Sequence, residues 1–146
     1  AIKLARRVGY DTKNGAYEII ATQDGFHGRT MGAVAATGTA RYRDPFQPLA
    51  PGFSHVPWND LEAIKAATTD KTVAVLLEPI QGEAGVNLPA PGYLKGIREW
   101  CDERGLDDLP NILGVGAGTN LMTLGKAPYV EKGMEARFRH TAFFIH

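Results

Sequence analysis

The chain has 146 residues, 44% of them hydrophobic and 22% charged, which is the balance of an ordinary globular domain with a core. Its 16 basic residues cancel 16 acidic ones, so charge gives no reason to expect nucleic acid or an anionic membrane as a partner. A single cysteine, Cys101, excludes an internal disulfide and fits a reducing cytoplasm, the expected location, and no apolar run approaches the ~20 residues that cross a bilayer.

The chain opens inside a helical pattern. Ile2, Leu4, Ala5 and Val8 are apolar, while Lys3, Arg6 and Arg7 are charged, which predicts a helix over 1–9. No long apolar core follows the charges, so this is not a signal-peptide pattern. No capping residue precedes the helix either, so the chain reads as a piece of something longer. DTKNG at 11–15 is turn chemistry, and 17–22 (YEIIAT) is a short strand. After FHGRT at 26–30, the small-residue run 32–40 predicts a close-packed helix with a glycine-rich end. The proline-rich 41–52 reads as a long surface loop. A strand over 53–57 leads to Asn59 and Asp60, either of which can cap a helix over 61–67. A third strand covers 72–77, with an unbroken apolar run from Val73 to Leu77. Residues 88–92 (LPAPG) form a stiff connector, and 93–104 form an amphipathic helix burying Leu94, Ile97, Trp100 and Cys101, with Gly105 placed to end it.

Strands and helices alternate, which predicts an α/β fold with a mainly parallel sheet covered by helices. The stretch 73–86, VAVLLEPIQGEAGV, carries the chemistry. A strand apolar on both faces belongs inside a parallel sheet, and ligands of such sheets lie beyond the carboxyl ends of the strands. Glu78 lands there, with Glu83 five positions on and Gly82 and Gly85 allowing close backbone approach. The plainer alternative is a charged loop after a strand. Two acids could also suggest glycoside hydrolysis, but one loop does not normally place both on opposite sides of a sugar.

Three stretches in this order, FHGRT at 26–30, PLAPGFSHVPWND at 48–60 and LEPIQGEAGV at 77–86, resemble the class III aminotransferases that use pyridoxal phosphate, with the acetylornithine and ornithine aminotransferases as the nearest subgroup. The lead-in AIKLARRVGY and the segment PGYLKGIREWCDERG at 91–105 are similar to the same family. The resemblance implies the three-layer α/β/α large domain of the type I pyridoxal-phosphate fold, in part. Residues 1–105 would be part of the cofactor-binding large domain, and 106–146 a degenerate or truncated continuation of it. The resemblance also implies roles. Phe26 would stack on the cofactor ring, His27 would flank it, and Glu78 would lie beside it. Arg29 would hold the substrate carboxylate through a bidentate pair. Glu83 would gate between amino donors by pairing with a substrate-binding arginine, and Gln81 would be scaffold.

Beyond Gly105 the likeness breaks into fragments. The Asp-Glu-x-Gln motif, whose aspartate pairs with the pyridine nitrogen in the family, is absent, and Asp107 and Asp108 before Pro110 are poor substitutes with the expected strand missing. MTLGKA at 122–127 is similar to the segment carrying the Schiff-base lysine, which nominates Lys126, and Thr141 is the nominee for a phosphate contact across a subunit interface. The family's Gly-Thr phosphate loop is expected just before Ala1. GVGAGT at 114–119 superficially resembles a dinucleotide loop but lacks the strand and helix that such a loop joins. The implied function is transamination from an acetylornithine- or ornithine-type ω-amino donor to 2-oxoglutarate, in a homodimer when intact. The alternative is a non-catalytic fragment, or a protein that docks on a full-length aminotransferase.

Overall fold

The structure, a computed structural model, describes residues 1–103, 112–115 and 120–123. Its centre is strand β3, Thr72–Leu77, buried at every position. A strand with no solvated face needs a neighbour on each edge and a layer over each face. On one edge β3 pairs in parallel with β1, Glu18–Thr22, which pairs in parallel with β2, Phe53–Val56. On the other edge it pairs antiparallel with β5, Asn120–Thr123, itself antiparallel to β4, Ile112–Val115. The order across the sheet is β2-β1-β3-β5-β4.

The strands send side chains into two cores, by alternation over most of their length, with the adjacent Val73 and Ala74 both in the first. Ile19, Val73, Ala74 and Leu76 pack with Ala5 of helix α1, Ile2–Thr12, and with Ala36 of α2, Met31–Ala36. Ile20, Val56, Val75 and Leu77 pack on the opposite face with Ile64 of α4, Leu61–Ala67, and with Tyr93, Ile97 and Cys101 of α5, Tyr93–Glu103. The result is a three-layer α/β/α arrangement. Gly9 lets α1 close on the sheet, since a Cβ there would lie 1.9 Å from the Ala16 carbonyl oxygen. Asp60 is the residue that caps α4, accepting from the Ala63 N–H at 2.8 Å. Asn59 instead takes a φ of 62° and accepts from the Ala90 N–H at 2.9 Å, pinning the 88–92 connector.

Several expectations are corrected. Helix α1 runs to Thr12 rather than ending at Gly9. The small-residue run is not one helix. It stops at Ala36 and restarts as the short α3, Ala40–Arg43, followed by a 3-10 turn over Asp44–Phe46, so the expected proline-rich loop is partly helical. Strand β4 occupies the stretch beyond Pro110 where a strand was expected to be missing, and the hairpin it forms with β5 makes that side of the sheet antiparallel. Gly114 and Val115 of the GVGAGT sequence lie in β4, paired with Leu121 and Asn120 of β5.

Candidate functional site

Strands β1, β2 and β3 run in parallel and end at the same edge, with Thr22 opposite Val56 and Ala21 opposite Leu76. The chain leaving β1 forms the loop holding Phe26 and His27, and the chain leaving β3 begins with Glu78. These two exits meet. The Phe26 backbone N–H donates to Glu78 Oε2 at 3.4 Å. Glu78 is 1% exposed, so its carboxyl is nearly cut off from water. Burial pushes its pKa from an ordinary 4.5 up to about 7, the Phe26 N–H partly opposes this, and the nearby charge of Glu83 adds to it.

The loop after Glu78 is held as a small hairpin. Gln81 and Asn87 exchange backbone hydrogen bonds of 3.1 and 3.0 Å. The buried Gln81 side chain donates from Nε2 to the Gln23 carbonyl at 2.7 Å and accepts from Asn87 Nδ2 at 3.2 Å. Gln23 in turn donates its N–H to the Val56 carbonyl at 2.8 Å. One buried amide thus ties the ends of all three parallel strands together. Gly85, at a φ of 93°, makes the turn at the tip, where Glu83 is exposed.

The Phe26 loop is fixed just as closely. The Gly25 carbonyl accepts from the Gly38 N–H at 2.7 Å, and the His27 N–H donates to Thr37 Oγ1 at 3.2 Å. The Phe26 ring is half-buried and packs T-shaped with the Tyr42 ring, with centroids 6.2 Å apart and planes at 76°. Both ring nitrogens of His27 are shielded from solvent. Arg29 is exposed just before Thr30, the residue that caps α2. Among the described residues neither Arg29 nor Glu83 enters an ion pair. The structure therefore gathers Phe26, His27, Glu78 and Glu83 at one edge and leaves two charged groups open to solvent. Lys126 and Thr141, like Asp107 and Asp108, lie outside the described residues. Among the described residues no cluster of His, Cys, Asp or Glu is placed to hold a metal, and no helix is long and apolar enough to cross a membrane.

Residues 1–106 match the family model of the class III aminotransferases. The chain belongs to that family. It is 52% identical over 106 residues to the acetylornithine aminotransferase of Methanopyrus kandleri, covering 73% of this chain and 26% of that protein. It is 57% identical over 104 residues to acetylornithine aminotransferase 1 of Pseudomonas syringae pv. tomato, covering 70% of this chain and 26% of that protein. Among solved structures it resembles the ornithine aminotransferase of Toxoplasma gondii, in a crystal form with partial occupancy of PLP at the active site. That match has a TM-score of 0.71 and 27% identity over 97% of this chain and 41% of that one. This class III chain thus spans about a quarter of the length of the curated relatives it matches, by the 26% coverage of each.

Four residues of this edge were not visible as candidate site residues in the sequence: Thr37, Gly38, Tyr42 and Asn87. Thr37 and Gly38 lie in the run read as continuous helix, and Tyr42 lies in the stretch read as loop. A break in that helix was signalled only by the Thr-Gly-Thr at 37–39, where a β-branched residue and glycine both disfavour helix.

Proposed function

We propose that this chain carries the cofactor-facing edge of a pyridoxal-phosphate-dependent aminotransferase. In the intact enzyme it would pass an amino group from an acetylornithine- or ornithine-type ω-amino donor to 2-oxoglutarate, in a homodimer of the cytoplasm. The observation that carries the reading is the meeting of Phe26 with the buried Glu78 carboxyl at the C-terminal edge of the parallel strands, in a chain of the class III family. These residues fit one side of a flat conjugated group. A half-buried phenyl ring offers a planar apolar surface, and a carboxyl poised near neutrality stands beside it.

Bound pyridoxal phosphate supplies an electron sink that makes the substrate Cα–H acidic. Part of the remaining work would fall to this chain's own groups. Phe26 holds one ring face and keeps water from it. Glu78 can keep its proton or release it close to neutral pH, which sets the charge beside the ring. Arg29, with its guanidinium uncommitted among the described residues, forks onto a substrate carboxylate. Glu83, exposed at the hairpin tip, stands where it can meet or leave a basic partner as donors change. Lys126 would be the residue that holds the cofactor and moves the proton, and Thr141 would contribute a hydroxyl to the phosphate across the subunit interface. His27 flanks the ring.

The experiment is a titration of the protein with pyridoxal phosphate, followed by visible absorbance, on wild type, Lys126→Ala and Phe26→Ala. The wild type should develop the band of a lysine-bound cofactor, Lys126→Ala should lose it, and Phe26→Ala should need more cofactor to reach it. No band in the wild type removes the cofactor reading for this chain, and a band surviving Lys126→Ala moves the tether to another lysine. Because the chain spans 26% of its curated relatives, the isolated polypeptide should turn over acetylornithine barely or not at all. Ready turnover would contradict that.

A further inference from the structure

The segment between α2 and β2 has no role in the reading above, yet it touches the Phe26 loop at three points. Thr37 is 1% exposed, and its hydroxyl donates to the Ala33 carbonyl at 3.0 Å while accepting from the His27 N–H at 3.2 Å. Gly38 holds the Gly25 carbonyl at 2.7 Å, and it must be glycine to do so. A Cβ there would lie 2.2 Å from the Thr22 carbonyl oxygen and 2.6 Å from the Asp24 nitrogen. Tyr42 packs its ring T-shaped with that of Phe26. With Glu78 on the Phe26 N–H, every residue of Gly25-Phe26-His27 has a main-chain polar group fixed from outside the loop.

The segment is itself latched at both ends by one residue of β2. His55 Nδ1 lies 2.9 Å from Arg43 Nη1, and His55 Nε2 lies 3.2 Å from the Ala36 carbonyl. A guanidinium can only donate, so Nδ1 accepts and Nε2 carries the hydrogen given to Ala36. One neutral imidazole thereby staples residues 36 and 43 to the sheet, and Thr37, Gly38 and Tyr42 lie between the staples.

We propose that Thr37, Gly38 and Tyr42, latched by His55, are the positioning residues of the Phe26 ring. They set its plane and the direction of the loop bearing it, and so set how tightly a flat cofactor is held. The mechanical part stands on the geometry alone, and the consequence for cofactor binding rests on the proposed function. Thr37 acts through a single hydroxyl. Thr37→Val keeps the shape and removes that oxygen, whereas Thr37→Ser keeps the oxygen and removes a methyl.

The test uses the full chain in both variants and in wild type. Amide hydrogen exchange is read at His27 and at core residues Ile20 and Val75, beside the affinity for pyridoxal phosphate by absorbance. In Thr37→Val the His27 amide should exchange about tenfold faster while the core amides keep their protection, and Thr37→Ser should restore it. Cofactor affinity should fall severalfold in Thr37→Val and return in Thr37→Ser. Unchanged His27 exchange in Thr37→Val overturns the proposal, and so does uniform loss of core protection, which would make Thr37 a plain fold residue. A second variant, Tyr42→Leu, should remove the ring-current shift on the Phe26 ring protons, and an unchanged shift would also overturn it. A wild type that binds no cofactor defeats the proposed function but leaves the exchange and ring-current measurements to decide the positioning claim.

Discussion

Replacing Glu78 by glutamine should make the protein more stable at alkaline pH and no more stable at acid pH. The carboxyl is 1% exposed and its pKa rises from 4.5 to about 7 on folding. A raised carboxyl pKa means that the folded state holds the proton more tightly than the unfolded state. Below pH 4.5 both states are protonated and the buried neutral acid carries no penalty. As pH rises toward 7 the unfolded chain releases its proton first, so stability declines across that window and levels off above it. At about 1.4 kcal/mol per pH unit, a shift of this size corresponds to at most about 3 kcal/mol by pH 8, and solvent screening of the carboxyl lowers it. Glutamine is close in shape, stays neutral, and keeps an oxygen for the Phe26 N–H. Urea denaturation of wild type and Glu78→Gln at pH 4, 6 and 8 reads the effect directly. The two proteins should be nearly equal at pH 4, and the variant should be ahead by up to about 3 kcal/mol at pH 8. Parallel pH profiles, or a variant weaker at pH 8, would refute the reasoning about the buried charge. A residue that burdens the fold in this way and yet holds the backbone of the Phe26 loop is where a site is expected to trade stability for chemistry.

Other outcomes follow from the same geometry. Asp60→Ala removes the cap of α4 and should lower stability by about 1 kcal/mol in urea denaturation. Gly9→Ala drives a methyl to 1.9 Å from a backbone oxygen and should lower stability by at least about 2 kcal/mol. Gly82→Ala, with nothing within 4 Å of its Cβ, should stay within about 0.5 kcal/mol of wild type. His55 should titrate below its ordinary 6.5 because burial and then the Arg43 charge disfavour the imidazolium. Its depressed pKa stabilises the fold above 6.5 and loses that contribution as pH falls through the folded value. An NMR midpoint above 6.5 would contradict the assigned latch.

What was legible in the sequence is what local chemistry dictates. The run at 72–77 is apolar on both faces, so it had to be central, and Glu78 had to emerge at the sheet's carboxyl edge. The α5 stripe and a cap of α4 at Asn59 or Asp60 needed only neighbouring residues to be read, whereas the scaffold role of Gln81 came from the family resemblance. The break after Ala36 was hidden because it is set by tertiary contacts. Gly38 is pressed against the β1 exit, and Thr37 spends its hydroxyl on His27. The same holds for the latch, where residues 12 positions apart meet only once β2 has paired with β1. The β4 strand escaped notice because Pro110 stands two residues before it and the family pattern had already failed there.

The most direct measurement is a map of backbone and aromatic NMR shifts as pyridoxal phosphate is added to the intact chain. A cofactor resting on this edge should move the signals of Gly25 to His27, Glu78 and the 81–87 hairpin, leaving those of α1 and α4 in place. Shifts confined to lysines scattered over the helical faces, with Phe26 and Glu78 unmoved, would contradict it.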